Sequence, residues 1–355
     1  MHGQLLILGI EGPAITPAEV ERFQRIQPAG VILFSRNIVT AEQTRRLTDE
    51  IRGLFSYEPI IAIDQEGGRV TRTKEIAPVC PSAVDLAAAG NPGWIAQAGI
   101  LTADLLRLLG CNLNFAPVLD IDHFPGLQNA LRERCWGDDP QRIIDHAGQW
   151  NRWMRKRSMA SCAKHFPSCG LAQSDPHHDL PIADVSLTDL LKHDILPYTA
   201  LMPELDAVMT SHVRFPQLDA DHPASLSRKI IHDFLRMQLG FDKHLVLTDD
   251  LDMGAIQQAY GRGADVKQAI SAGNDIALIC HQMDTADAAV QALKELSSGI
   301  VDDALARIER FRNKLNGPLK WSDSAWQKTC TEIQQLRDDV PVAHEIKADS
   351  PVANY

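Results

Sequence analysis

Eight short, nearly continuous apolar runs punctuate this chain: Leu5–Ile10, Gly30–Ser35, Pro59–Asp64, Cys111–Ile121, Ala160–Phe166, Ala207–His212, Leu245–Asp250 and Asp275–Cys280. Alternation between polar and apolar residues is missing from them, which is the pattern of parallel strands buried on both faces. Most are separated by stretches of helical periodicity with clear start and stop signals. Thr16-Pro17-Ala18-Glu19 opens one helix with proline in the first turn, and Thr40 with Gln43 forms a capping box on another. Ser225 or Ser227 is expected to cap the helix before Leu239-Gly240, and Gly273 to close a helix that begins near Met253. Eight βα units in one chain predict an α/β fold, a (β/α)₈ TIM-type barrel rather than an open sheet. At 355 residues the chain is long for one ordinary domain but normal for such a barrel. The expected boundaries are a barrel over 1–316 and a C-terminal extension over 317–355, comprising a polar helix at Ser322–Asp338 and a tail.

Composition narrows the function classes. The net charge of −11, with no basic stripe, argues against a nucleic-acid partner. The N-terminal run has no basic flank and is too short for a signal peptide or membrane span, so no membrane association is expected. Seven cysteines, odd in number and without a CxxC pair, fit reduced thiols in a cytoplasm. Cys111, Cys162 and Cys280 fall inside apolar runs and read as core.

The chemistry-bearing residues collect at strand ends. Asp64, Asp120 with Asp122, Lys164-His165, His212 and Asp249-Asp250 all stand at the C-terminal ends of the runs, where a barrel gathers its reactive groups. A single strand-end aspartate often only caps the next helix. Five strands ending this way are harder to dismiss. After Phe166 the chain turns irregular through Pro167, Gly170 and Pro176, carrying Asp175, His177, His178 and Asp179. Asp175 and His177 are two apart with Pro176 between them, so the carboxylate can hold one imidazole nitrogen and leave the other free as an oriented acid/base. Asp249, ending an apolar strand, is the best nucleophile candidate. His178 and Asp179 read as loop surface, and Glu66 as a brace for the Gly67-Gly68 turn.

Other chemistries fit poorly. There is no HExxH or paired-cysteine spacing, and Lys164 beside the histidines opposes a cation, so no metal and no cofactor are expected. No Gly-x-Ser-x-Gly elbow occurs, and Glu66-Gly67-Gly68-Arg69 fits no dinucleotide or phosphate loop.

The sequence resembles the β-N-acetylglucosaminidases of glycoside hydrolase family three. Ala163–Pro181 follows that family's K-H-F-P-G-H-G-x(4)-D-[ST]-H loop without a gap, and Ile63–Arg72 is similar to its D-Q-E-G-G-R-V-x-R segment. Asn112–Asp122, Arg134–Pro140, Met209–His212 and Leu239–Leu251 carry further matches, so the resemblance runs in order over roughly residues 5 to 315. It implies Asp249 as nucleophile, His177 as general acid/base and Asp175 as its partner, with Asp64, Arg72, Arg134, Lys164 and His165 holding the sugar. It also implies a retaining exo-enzyme acting on carbohydrate, with muropeptide fragments of cell-wall recycling as substrate and a monomeric, cytoplasmic protein. The chain departs from the family at Ser168-Cys169, at Leu171 and at Pro176, which restrict the loop. A phosphorylase using the same residues, and a sugar-binding relative with impaired catalysis, remain as alternatives.

Overall fold

The structure is a computed structural model, and it describes residues 1–125, 130–172 and 180–343. Ten strands follow in chain order among these residues: β1 (Leu6–Leu8), β2 (Gly30–Leu33), β3 (Ile60–Ile63), β4 (Gln65–Gly67), β5 (Val70–Thr71), β6 (Leu113–Asn114), β7 (Ala160–Phe166), β8 (Ala207–Thr210), β9 (Leu245–Asp250) and β10 (Ile276–Ile279). Eight of them close a parallel barrel in the order β1-β10-β9-β8-β7-β6-β3-β2, while β4 and β5 make a separate antiparallel hairpin. Helices lie outside the barrel wall, giving the (β/α)₈ architecture that the apolar runs predict. Leu6, Ile7, Leu8 and Ile60 to Ile63 are all buried completely. Each large aliphatic side chain removed from water in this way is worth about 1.5–3 kcal/mol before entropy is counted.

The helix signals work as local chemistry dictates. Thr16 with Glu19 and Thr40 with Gln43 both form full capping boxes. Ser227, the second of the two candidate caps, accepts from the Ile230 amide at 3.2 Å. The helix it starts, Lys229–Gln238, is wound as a π-helix.

Two expectations are corrected. The fourth apolar run yields only two strand residues, because Pro117 has no amide to donate, and pairing resumes as a single bridge between Val118 and Lys164. The helix expected from Met253 to Gly273 is two pieces, Gly254–Gln257 and Ala264–Ala272, parted at Gly261-Arg262-Gly263. Gly263 takes φ +105°, a conformation that helical L-residues avoid, and Gly273 closes the second piece at φ +117°. The polar helix Asp323–Asp339 is capped by Ser322 and buries Trp326, Ile333 and Leu336. No helix among the described residues is long and apolar enough to cross a membrane.

Candidate active site

The C-terminal ends of the barrel strands enclose a cleft lined by Asp64, Glu66, Arg72, Arg134, Lys164, His165, Asp249 and Asp250, with Phe34, Phe115, Met209 and Met253 among its apolar walls. Six of the eight residues assigned from sequence therefore meet in one place. Asp175 and His177 lie outside the described residues.

The cleft is an ion-paired cluster built from four elements. Asp64 ends β3 and accepts from Lys164 Nζ at 2.7 Å and from Arg72 Nη2 at 3.3 Å. Glu66 projects from the β4–β5 hairpin, accepts from Arg134 Nε and Nη2 at 2.8 Å each, and lies 2.7 Å from Lys164 Nζ. Lys164 thus bridges two carboxylates. The hairpin that aims Glu66 and Arg72 inward turns on Gly67 and Gly68, at φ +97° and +54°. A Cβ on Gly67 would lie 2.6 Å from the Pro81 carbonyl oxygen. Gln65 secures the hairpin's far side by accepting from the Arg72 amide at 3.0 Å. The Arg72 guanidinium also stands over the Phe34 ring, 5.3 Å from its centre.

His165 is oriented rather than free to rotate. Its Nδ1 lies 2.7 Å from Asp120 Oδ2, so that nitrogen carries the proton, and its Nε2 faces Arg134 Nη2 at 3.4 Å. Asp120 also accepts from the amides of His165 and Cys169, at 3.1 and 2.6 Å, which ties the end of β7 and the start of its loop to the segment after β6. The Lys164–His165 and Phe166–Pro167 peptides are cis. Gly170 allows the loop to leave closely over the barrel, since a Cβ there would sit 2.0 Å from the Ile121 carbonyl oxygen.

Burial alone would raise the carboxyls of Asp64, Glu66 and Asp120, but the neighbouring cations prevail. Asp64 is held below its ordinary range by Lys164 and Arg72, Glu66 by Arg134 and Lys164, and Asp120 by His165. Burial would likewise lower Lys164 and Arg134, and their carboxylate partners raise both. Arg72, Arg134 and Lys164 can only donate, whereas Asp64 can accept from two hydroxyls, which together suits a polyhydroxylated ligand. Of Asp64, Glu66 and Asp249, only Asp249 makes no ion pair among the described residues. Its Oδ1 accepts from the Asp250 amide at 2.8 Å.

Glu66 is the residue that sequence reasoning misread. Placed one residue before a Gly-Gly turn, it looks like a brace, yet its side chain holds Arg134, 68 positions away. Only the spacing of Asp64 and Glu66 on alternate positions of the same segment hinted at a shared face. Glu66→Ala should lower folding stability by about 3–5 kcal/mol, because it strands a buried guanidinium and removes one of two partners from Lys164. Glu66→Gln should cost clearly less, and urea unfolding of the three proteins checks the order. Since Asp64, Glu66 and Asp120 are all depressed, their stabilisation is complete above an unfolded carboxylate value of about 4 and is lost as pH falls below it.

His212, also at a strand end, does not reach the cleft lining. Its ring nitrogens are engaged by Ser225 Oγ at 2.7 Å and the Asp250 carbonyl at 2.9 Å. Asp120, His165 and Cys169 offer three ligand atoms within 4.8 Å of one another. Their hydrogen bonds already employ the Asp120 oxygens, so prolonged dialysis against a strong chelator should leave turnover unchanged. A loss restored by zinc would reassign that group as a metal centre. A larger cavity of about 490 Å³ opens at the opposite end of the barrel beside Met159 and Ala160, but Arg152 and Arg155 there are already paired with Glu204 and Asp206.

The description "Glycosyl hydrolase family 3 N terminal domain" matches residues 2–311. A beta-hexosaminidase of Pseudomonas aeruginosa is 33% identical over 315 residues, covering 88% of this chain and 92% of the relative. Among solved structures, a glycoside hydrolase family 3 beta-N-acetylglucosaminidase from Paenibacillus superposes with a TM-score of 0.87 at 30% identity, over 94% of this chain and 67% of that one. Native NagZ from Neisseria gonorrhoeae superposes with a TM-score of 0.81 at 29% identity, over 94% and 97%. With residues 2–311 matched by that family and the barrel superposed on solved structures like these, the chain belongs to glycosyl hydrolase family 3.

Proposed function

We propose that this protein is a retaining exo-β-N-acetylglucosaminidase that releases terminal β-linked N-acetylglucosamine from muropeptide fragments. Asp249 attacks the anomeric carbon, and His177, oriented by Asp175, protonates the leaving oxygen and later draws the proton from the incoming water. Asp64, Arg72, Arg134, Lys164 and His165 hold the sugar in the first subsite. One observation carries the reading: Asp249, without an ion pair among the described residues, shares a cleft with the fully paired Asp64–Lys164–Glu66–Arg134 cluster. That division gives one group to chemistry and the rest to binding. The similarity to named beta-hexosaminidases supports the substrate class. Seven cysteines, all free, support a reducing compartment such as the cytoplasm, and the protein acts there as a monomer.

Incubation with an aryl β-N-acetylglucosaminide, with and without inorganic phosphate, tests this directly. Release of the free sugar in plain buffer is the expected result. Exclusive formation of the sugar phosphate would make the protein a phosphorylase. Binding of the sugar with neither product would make it a sugar-binding relative.

A further inference from the structure

We infer that Asp250 is a positioning residue for Asp249: its carboxyl ties the turn after β9 to the end of β10 beside the nucleophile. The activity arm of this inference rests on the glycosidase reading above.

The geometry is a knot of backbone contacts on one residue. Asp250 is the last residue of β9, directly after Asp249, and both line the cleft. Its Oδ1 accepts from the amides of Asp252 at 3.0 Å and Cys280 at 3.2 Å, joining the turn after β9 to the end of β10. Its own amide donates to Asp249 Oδ1 at 2.8 Å, and its carbonyl accepts from His212 Nε2 at 2.9 Å. The residue after the nucleophile is therefore held through both of its flanking peptides.

The remaining oxygen is the informative one. Asp250 is 8% exposed; no nitrogen or oxygen among the described residues bonds its buried Oδ2, and the Cys280 thiol is the weak donor beside the carboxyl. His281 Nε2 stands 3.6 Å away, too far for a hydrogen bond, while His281 Nδ1 faces Arg36 Nη1 at 3.2 Å. The groups facing this carboxyl are Asp249 on its own strand, Asp252 in the following turn, Cys280 and His281 after β10, and Arg36 after β2, with Arg72 beyond Phe34. Arg36 spends its guanidinium on the carbonyls of Ile10 and Cys280 as well as on His281. Asp252 is paired with Arg262. Burial, then the charges of Asp252 and Asp249, push the Asp250 carboxyl up to about 8, and burial with Arg36 pushes His281 down to about 4. An ionised Asp250 would be a buried anion beside Asp249 and Asp252, with only a thiol and a distant imidazole to offset it, and moving out of the clamp would relieve it. That movement would carry the Asp249–Asp250 peptide with it.

Three forms of the protein decide the matter: wild type, Asp250→Asn and Asp250→Ala. The asparagine keeps an oxygen for the two amides but cannot ionise, so its kcat near pH 6.5 should stay within about threefold of wild type. The alanine leaves both amides without an acceptor and should lose on the order of 10- to 100-fold in kcat with little change in KM, the scale of a small misplacement of a reacting group. Above pH 8 the ratio of wild-type to Asp250→Asn kcat/KM should fall roughly tenfold per pH unit, and taking the ratio cancels the titration of His177. Thermal unfolding gives a readout that needs no turnover. The folded state keeps a proton that the unfolded chain releases near about 4, so the wild type should lose Tm relative to Asp250→Asn between pH 5 and pH 8. A flat activity ratio together with a constant Tm difference would overturn the inference, as would an Asp250→Ala protein with wild-type kcat. If the wild type cleaves no glycoside, the proposed function fails on its own account, and the Tm difference still tests the proton on Asp250.

Discussion

Asp249→Asn abolishes turnover while leaving sugar binding largely intact. The expectation follows from where Asp249 sits and from what surrounds it. Its carboxylate ends a rigid buried strand, Leu245–Asp250, and the adjacent amide fixes Oδ1, so the group is aimed before substrate arrives. An amide at that position keeps the shape and can still accept a hydrogen bond, but it cannot form a glycosyl ester. The loss should be on the order of 10⁴–10⁶-fold in kcat, the range seen when a covalent mechanism is deprived of its nucleophile. Binding survives because Asp64, Arg72, Arg134 and Lys164 keep their own partners, none of which is Asp249. Calorimetric titration with N-acetylglucosamine should therefore give similar affinities for the two proteins. A 2-deoxy-2-fluoro glycoside should label Asp249 in the wild type. Label on Asp250 or Asp252 would refute the assignment. A complete absence of label, with turnover preserved in Asp249→Asn, would mean that the substrate's own acetamido group attacks instead.

The second large effect belongs to His177, assigned from its spacing to Asp175 and from the family loop. Replacing it removes the proton donor, so the damage depends on how much help the leaving group needs. General acid catalysis is worth about 10²–10⁴-fold, and His177→Ala should forfeit most of it with a sugar leaving group. An activated phenol departs without protonation, so its first step should suffer much less. The second step should remain slow with either substrate, because the same imidazole serves as base for water. The covalent intermediate should then accumulate and phenol release should show a burst. Asp175→Ala should give a milder version, since the ring remains but is no longer oriented. His178→Ala should behave like wild type with both substrates. The reverse pattern for the two histidines would mean that the loop is read one residue out of register.

Much of the molecule was legible in one dimension because the causes act locally. A strand buried on both faces must be apolar throughout, so the runs at Leu245–Asp250 and Ala160–Phe166 announce their positions and extents. Helix starts are equally local: Thr16 and Thr40 cap amides three residues away. Once the runs form a parallel barrel, polar residues at their C-terminal ends must converge, and that is enough to collect Asp64, Lys164, His165 and Asp249. Arg72 and Arg134 come from loops, and they were found by their motifs rather than by periodicity.

What the tertiary structure decided is the pairing. Nothing in the order of residues says that Glu66 takes Arg134 and shares Lys164 with Asp64, or that Asp120 reaches His165 across 45 positions. Charges buried in a low-dielectric cleft select partners by distance and geometry, which depend on strand register and on the hairpin turn at Gly67. The same holds for the adjacent pair Asp249 and Asp250, which composition treats as equivalent. Both line the cleft, but Asp249 stays free of ion pairs among the described residues, while burial and two neighbouring carboxylates push the Asp250 carboxyl up. The sequence names both acids. Only their three-dimensional surroundings make them different chemical groups.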